Sequence, residues 1–271
     1  MASVGLAEPL QDPVNRFARA LTVPRRLLAL HPRRRGNAGD AAALAPAITL
    51  GVIAAFEGFV EEFVAVGAMI RGLGFAQVAK AIGNLNNPDV ATFEKLVVSQ
   101  LGVPEHGIGS GFSVDYWQPP KPGAKWWRTA TLDWPAAKQD AEAWMQVRHL
   151  LTHGLTSGWR AEHWPGPLRQ AARPASSVLH KTPTGRHTLV IHGAITCARI
   201  YVETSRHLAT LTAQHLGRAV DVDILPVFPL YKEQAYEQTP PPAPSGMDGV
   251  AEELSEEGED APAPDAPAAV L

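Results

Sequence analysis

A chain of 271 residues with 45% hydrophobic side chains is long enough to bury one sizeable core. Its formal net charge of -3 excludes a whole-molecule attraction for nucleic acid or an anionic membrane, and its single cysteine, Cys197, excludes an intrachain disulfide, as fits a reducing cytoplasm. The charge is segregated: arginines crowd the first part (Arg16 to Arg35) and carboxylates the last (Asp248 to Asp265), a pattern typical of solvated ends that can touch each other or a partner.

Residues 1–39 mix Pro13, Pro24 and Pro32 with arginines and predict a basic, partly ordered arm, with a short helix near Val14–Leu30 broken at Pro24. A non-specific phosphate contact is the sharper reading of its arginines, and a solvated arm the simpler one. No apolar run with a small-residue cleavage site follows them, so no secretory leader is expected. A long helix is predicted from Asp40 or Pro46 to about Gly72. Ile48, Val52, Ile53, Phe56, Phe59, Val60, Phe63 and Val64 recur at three- and four-residue spacing and form a wide apolar stripe. The run 41–60 approaches the apolarity of a membrane span. Pro46 and Glu57 interrupt it, so a buried helix is expected and no membrane partner.

Gly72 and Gly74 precede a short helix over Phe75–Ile82. A turn at Asn84–Asp89 then leads to a helix over Val90–Leu101, capped by Asp89. Residues 105–133, rich in glycine and proline, predict a long irregular loop that carries Trp117, Lys125, Trp126, Trp127 and Arg128. Aromatic and basic side chains together suit RNA contact by stacking and phosphate neutralisation; tryptophans that pin the loop to the domain are the plainer reading. Asp133-Trp134-Pro135 starts a helix that runs to His153, with Gly154 at a left-handed terminus. A loop over 155–175, a small β-hairpin over 177–191 and a closing helix over Ala194–Leu216 follow. Cys197 lies among Ile195, Ala198 and Ile200 and reads as core. Residues 218–237 are apolar enough for an extended strap. Residues 238–271, rich in Pro, Ala and Glu with almost no large apolar side chains, are expected to be a disordered acidic tail.

Reactive side chains concentrate in one place. Arg148, His149 and His153 lie near the end of the helix predicted over 134–153. The spacing of His149 and His153 puts both on one face, as in helical two-histidine metal sites, but no third ligand lies at a familiar spacing and no metal or other cofactor is expected. Cations near a helix C-terminus also simply complement its dipole. Arg148 and His153, five apart, are roughly 140° apart around an ideal helix. They converge on one ligand only if His153 leaves the regular spiral or a second subunit completes the site.

Arg148, four intervening residues, then His153 and Gly154 resemble the R-x4-6-H signature of the HEPN superfamily. The setting over residues 40–217 is similar: a long early helix with an acidic residue among aromatics (Phe56-Glu57-Gly58-Phe59), the motif late in a following helix, and a closing helix. Family members commonly carry asparagine after the arginine, where this chain has His149. The resemblance implies a mainly α, HEPN-like helical bundle that forms a homodimer, with the Trp-rich loop and the hairpin as insertions. It also implies metal-independent endoribonuclease activity in catalytic members, RNA or nucleotide binding in others, and often a place in toxin–antitoxin or phage-defence systems with an antitoxin partner.

The chemistry is coherent with that. His153 serves as base or acid toward the 2′-OH, Arg148 holds the phosphate, and His149 is a second proton-transfer group or a phosphate contact. The expected product end is a 2′,3′-cyclic phosphate. Glu57 either orients a motif side chain across the bundle or is a buried, paired carboxylate.

Overall fold

The computed structural model describes residues 9–33, 39–83, 85–120 and 127–231. In chain order these form α1 (Gln11–Ala20), α2 (Thr22–Leu30), a 3-10 turn (Gly39–Ala43), α3 (Leu44–Ile70), α4 (Phe75–Ile82), α5 (Val90–Leu101), β1 (Val114–Gln118), β2 (Arg128–Leu132), α6 (Trp134–Thr152), a second 3-10 turn (Ala175–Ser177), β3 (His180–Lys181), β4 (His187–Thr188) and α7 (Ile191–His215). The architecture is mainly α, a helical bundle with two small antiparallel hairpins.

Helix α3 is the axis of the bundle. Its apolar stripe is buried throughout, and α1, α2, α4, α5, α6 and α7 all pack on it. The phenylalanines of α3 build an aromatic centre: Phe59 stacks on Phe17 of α1 with centroids 4.6 Å apart, Phe63 meets Phe93 of α5 edge-on at 5.9 Å, and Phe56 meets Tyr201 of α7 at 4.8 Å. Tyr201 also donates from its hydroxyl to the Ala141 carbonyl (2.9 Å), tying α7 to α6. Among the described residues Gly39–Ile70 alone is long and apolar enough to cross a membrane, and its placement is that of a core helix.

Three segments differ from the expectations drawn from sequence. Residues 9–33 of the basic arm form two helices packed on α3, with Leu10, Val14, Phe17, Leu21 and Leu28 buried. Pro24 does not end the helical path. It lacks the N–H that would bond the Ala20 carbonyl, so the spiral is interrupted there and restarts with Pro24 in the first turn of α2, where a missing donor costs nothing. The loop expected over 105–133 is not irregular throughout: Val114–Gln118 pairs with Arg128–Leu132 from Val114↔Leu132 to Gln118↔Arg128. Burial of Val114, Tyr116 and Trp117 against α7 stabilises the ladder. Thr196 of α7 completes it, its hydroxyl accepting from Trp117 N (3.1 Å) and donating to Trp117 O (3.2 Å). The second hairpin is shorter than 177–191, because Gly193 lies inside α7 rather than ending a strand. A Cβ there would sit 3.1 Å from the Trp144 ring, so glycine lets α7 and α6 approach.

Residues 218–231 run as an extended strap without a regular element. Leu225 and Phe228 are buried, and side chains of the bundle hold the backbone: Arg199 donates to Phe228 O (3.1 Å), Arg206 to Leu225 O (3.1 Å), Arg33 to Pro229 O (3.1 Å) and Trp117 Nε1 to Leu230 O (3.1 Å). The acidic segment 238–271 lies outside the described residues.

Candidate functional site

Helix α6 delivers the motif. Asp133 caps its start by accepting from Ala136 N (3.0 Å), and Gly154 closes its end at φ +66°. Leu155 N donates to Leu150 O (3.0 Å) and Gly154 N to Leu151 O (3.2 Å), the paired bonds of a glycine-terminated helix. The Thr152 hydroxyl adds bonds to Arg148 O (3.0 Å) and His149 O (3.1 Å). The last turn is therefore fixed from inside and outside.

Arg148 points across the bundle. Its Nη2 donates to Glu57 Oε2 of α3 at 3.0 Å, its Nη1 donates to Asn87 Oδ1 at 2.7 Å, and Nη1 also faces His149 Nδ1 at 3.4 Å. Both partners of the ion pair are mostly screened from solvent, with side-chain exposures of 21% for Arg148 and 15% for Glu57. Glu61 lies one turn further along the same face of α3 and adds negative charge near Glu57, whose Oε1 is buried without a hydrogen-bond partner among the described residues. Burial pushes its carboxyl above the usual range, and Arg148 pulls it back only in part.

His149 is pushed the other way. Burial lowers its imidazole first, and electrostatic interaction with Arg148, then Arg169 and His153, lowers it further. The ring is thus uncharged at neutral pH. With a guanidinium facing Nδ1, the neutral ring carries its proton on Nε2, which makes that atom a hydrogen-bond donor to an anion. His153 is exposed at the helix terminus, with its backbone N still bonded to His149 O (3.0 Å), so it stays on the helical path. Among the described residues no hydrogen bond, ion pair or ring contact joins His153 to Arg148. The structure thus brings Glu57, Arg148 and His149 together and leaves His153 apart, one helical turn from His149.

In the Trp-rich segment, the described residues Trp127 and Arg128 do not join this group. Trp127 stacks on His192 of α7 (5.1 Å between centroids, 16° between planes) and leans on His180, so the ring serves packing between the first hairpin and α7. Arg128 is exposed on β2, and Lys125 and Trp126 lie outside the described residues. Three features escape sequence reading. Asn87 reaches Arg148 from a left-handed residue at φ +51°; the asparagine-rich turn was a visible signal, but not its target. Arg169 adds positive charge beside His149. Trp159 and Arg160 sit on a loop that Glu162 holds rigid by accepting from Ser157 N, Gly158 N and the Ser157 hydroxyl. Arg160 lies over the exposed Trp159 ring at 4.6 Å. That loop rests on α6, where a Cβ on Gly158 would meet Leu151 at 2.8 Å.

Fold and site together define a mainly α bundle with a half-buried arginine–glutamate–asparagine network beside an uncharged histidine at a helix terminus. No family model, curated protein or solved structure matches the chain.

Proposed function

We propose that the chain is a HEPN-type, metal-independent endoribonuclease whose Arg148, His149 and His153 form half of a site completed by a second copy. The observation that carries this reading is the Arg148 network: a carboxylate and an amide hold a guanidinium next to an uncharged imidazole at a glycine-capped helix end. Arg148 binds the scissile phosphate through donors not used by Glu57 and Asn87. His149 donates from Nε2 to a phosphate oxygen. His153, exposed at the helix end, takes the 2′-OH proton; the 2′ oxygen attacks phosphorus as the P–O5′ bond breaks, and the departing 5′ oxygen takes a proton from water, which leaves a 2′,3′-cyclic phosphate and a free 5′-OH. Glu57 and Asn87 are positioning residues, and Trp159 with Arg160 offers a stacking and cationic platform for the flanking nucleotide. A place in a toxin–antitoxin or phage-defence system, with an antitoxin protein, belongs to the same proposal.

The test is RNA cleavage by the full chain in EDTA. Cleavage that survives the chelator, leaves cyclic phosphate ends and falls by at least about a hundredfold in Arg148→Ala and in His153→Ala supports it. Cleavage untouched by both substitutions overturns it. A second reading, an RNA- or nucleotide-binding module without turnover, is favoured by one observation: Glu57 neutralises Arg148 and His153 does not converge on it within one chain. Saturable RNA binding by a monomer, weakened in Arg148→Ala and without product, would select that reading.

A further inference from the structure

The first hairpin, α6 and the segment between α6 and α7 enclose an open cavity of about 410 Å3 that Arg148, His149 and His153 do not line. Its charged groups come from three elements. Asp140 of α6 is 9% exposed, and Arg173 Nη1 donates to its Oδ1 at 2.8 Å and reaches Gln139 Oε1 at 3.5 Å. That spends one end of the guanidinium inward. Nε and Nη2 of Arg173 make no protein hydrogen bond among the described residues, and its side chain keeps 37% of its surface open. Lys181 of β3 is exposed at the cavity and takes part in no ion pair among the described residues. The Ser177 hydroxyl donates to Pro174 O (2.8 Å), which leaves its oxygen as an acceptor, and the Ser176 hydroxyl beside it makes no hydrogen bond among the described residues.

Among the described residues the lining therefore holds two cations, Arg173 and Lys181, against one carboxylate, and that carboxylate is already matched. The surplus is one positive charge, with Nε and Nη2 of Arg173 and the Lys181 ammonium in no hydrogen bond or ion pair among the described residues. The lining also contributes apolar surface from Trp117, Pro119, Pro120 and Leu179. A purely structural Asp140–Arg173 pair accounts for Nη1 of Arg173 and for the burial of Asp140. It accounts neither for the donors left over nor for Lys181. The volume suits one small molecule.

We propose that this cavity binds a small molecule bearing one oxyanionic group, a phosphate monoester or a carboxylate, on a compact and partly apolar body. Lys181 and the outer edge of Arg173 take the oxyanion. The apolar lining takes the body, and Asp140 holds the Arg173 fork in place. The site is separate from the helix-end motif, so its existence does not depend on ribonuclease activity.

The experiment is a nuclear magnetic resonance titration of the full chain with inorganic phosphate, acetate and adenosine monophosphate, read at the amides of Ser176, Ser177 and Lys181. The expected result is a saturable shift at those amides with at least one probe. Affinity should fall about tenfold in Lys181→Gln, a surface substitution that leaves the buried pair intact. Asp140→Asn combined with Arg173→Gln removes both charges of the pair together and is expected to weaken binding at least as much. Tighter binding of phosphate than of acetate names the phosphate monoester, and the reverse names the carboxylate. Absence of saturation with all three probes, or an affinity in Lys181→Gln within about twofold of the unsubstituted chain, overturns the proposal.

Discussion

Arg148 and Glu57 come from helices 91 positions apart in sequence, and each is the main charged neighbour of the other. Removing one strands the other in a half-buried setting, which costs more than the intact pair contributes. Arg148→Gln is therefore expected to destabilise the fold by about 2 kcal/mol in urea unfolding, and Glu57→Gln added to it to recover part of that loss. Strictly additive costs would show that the two side chains do not act as a pair. His192 makes a pH prediction. Burial against Trp117 and Trp127 lowers its imidazole to about 4, with the charges of Arg33, His31 and His180 adding to the effect. An unfolded histidine titrates near ~6.5. Between those values the unfolded chain binds a proton that the folded chain refuses, so stability falls as pH drops from about 6.5 to about 4. His149 and His31, lowered in the same direction, add to that slope. Glu57 and Asp140, raised by burial, oppose it, since their cost grows as pH rises through their titration. His192→Gln should flatten the fall in melting temperature over this range; an unchanged slope would show that the proton goes elsewhere. At this scale the sequence exposed the reactive residue types at 148, 149 and 153. It concealed Asn87, whose relevance depends on a turn brought beside α6 by folding.

Element boundaries follow local chemistry where a cap or a glycine states them. Asp89 and Asp133 accept from backbone N–H groups at the starts of α5 and α6, and Gly102 and Gly154 adopt positive φ at their ends. These four residues made both helices readable without a fold. Gly154→Ala forces a Cβ into the left-handed region at φ +66°, and nothing within 4 Å would clash with it, so the cost is conformational alone. About 1 kcal/mol and a few degrees of melting temperature are expected, with helix content by circular dichroism unchanged. A melting temperature equal to that of the parent would mean that the α6 terminus is not closed by this residue. The hairpin β1–β2 was illegible for the opposite reason. Two five-residue strands separated by a glycine- and proline-rich stretch carry too little period-two pattern, and the stabilisation comes from α7 through Thr196 and the burial of Val114 and Tyr116.

At the scale of the whole molecule, α3 is apolar enough to pass for a membrane span because it is enclosed by six other helices. The strap over 218–231 is held to α7 by Arg199 and Arg206. It has no secondary structure of its own, and arginine and tryptophan donors hold it by its carbonyls. Its apolar anchor is Phe228, 1% exposed. Phe228→Ala should cost about 3 kcal/mol in chemical denaturation and expose the strap to protease. Protection equal to that of the parent chain would show that the carbonyl bonds suffice without the anchor.

The sequence by itself determined the mainly α character, the axis helix and the ends of α5 and α6, because helical periodicity and caps are properties of neighbouring residues. It also located the arginine–histidine cluster on α6. Only the tertiary structure decided which of these groups meet. Glu57 and Asn87 converge on Arg148, Trp127 stacks on His192, and residues 9–33 join the core. Such meetings depend on the relative placement of helices far apart in the chain, and that placement is set by the summed burial of the whole apolar core rather than by any local pattern.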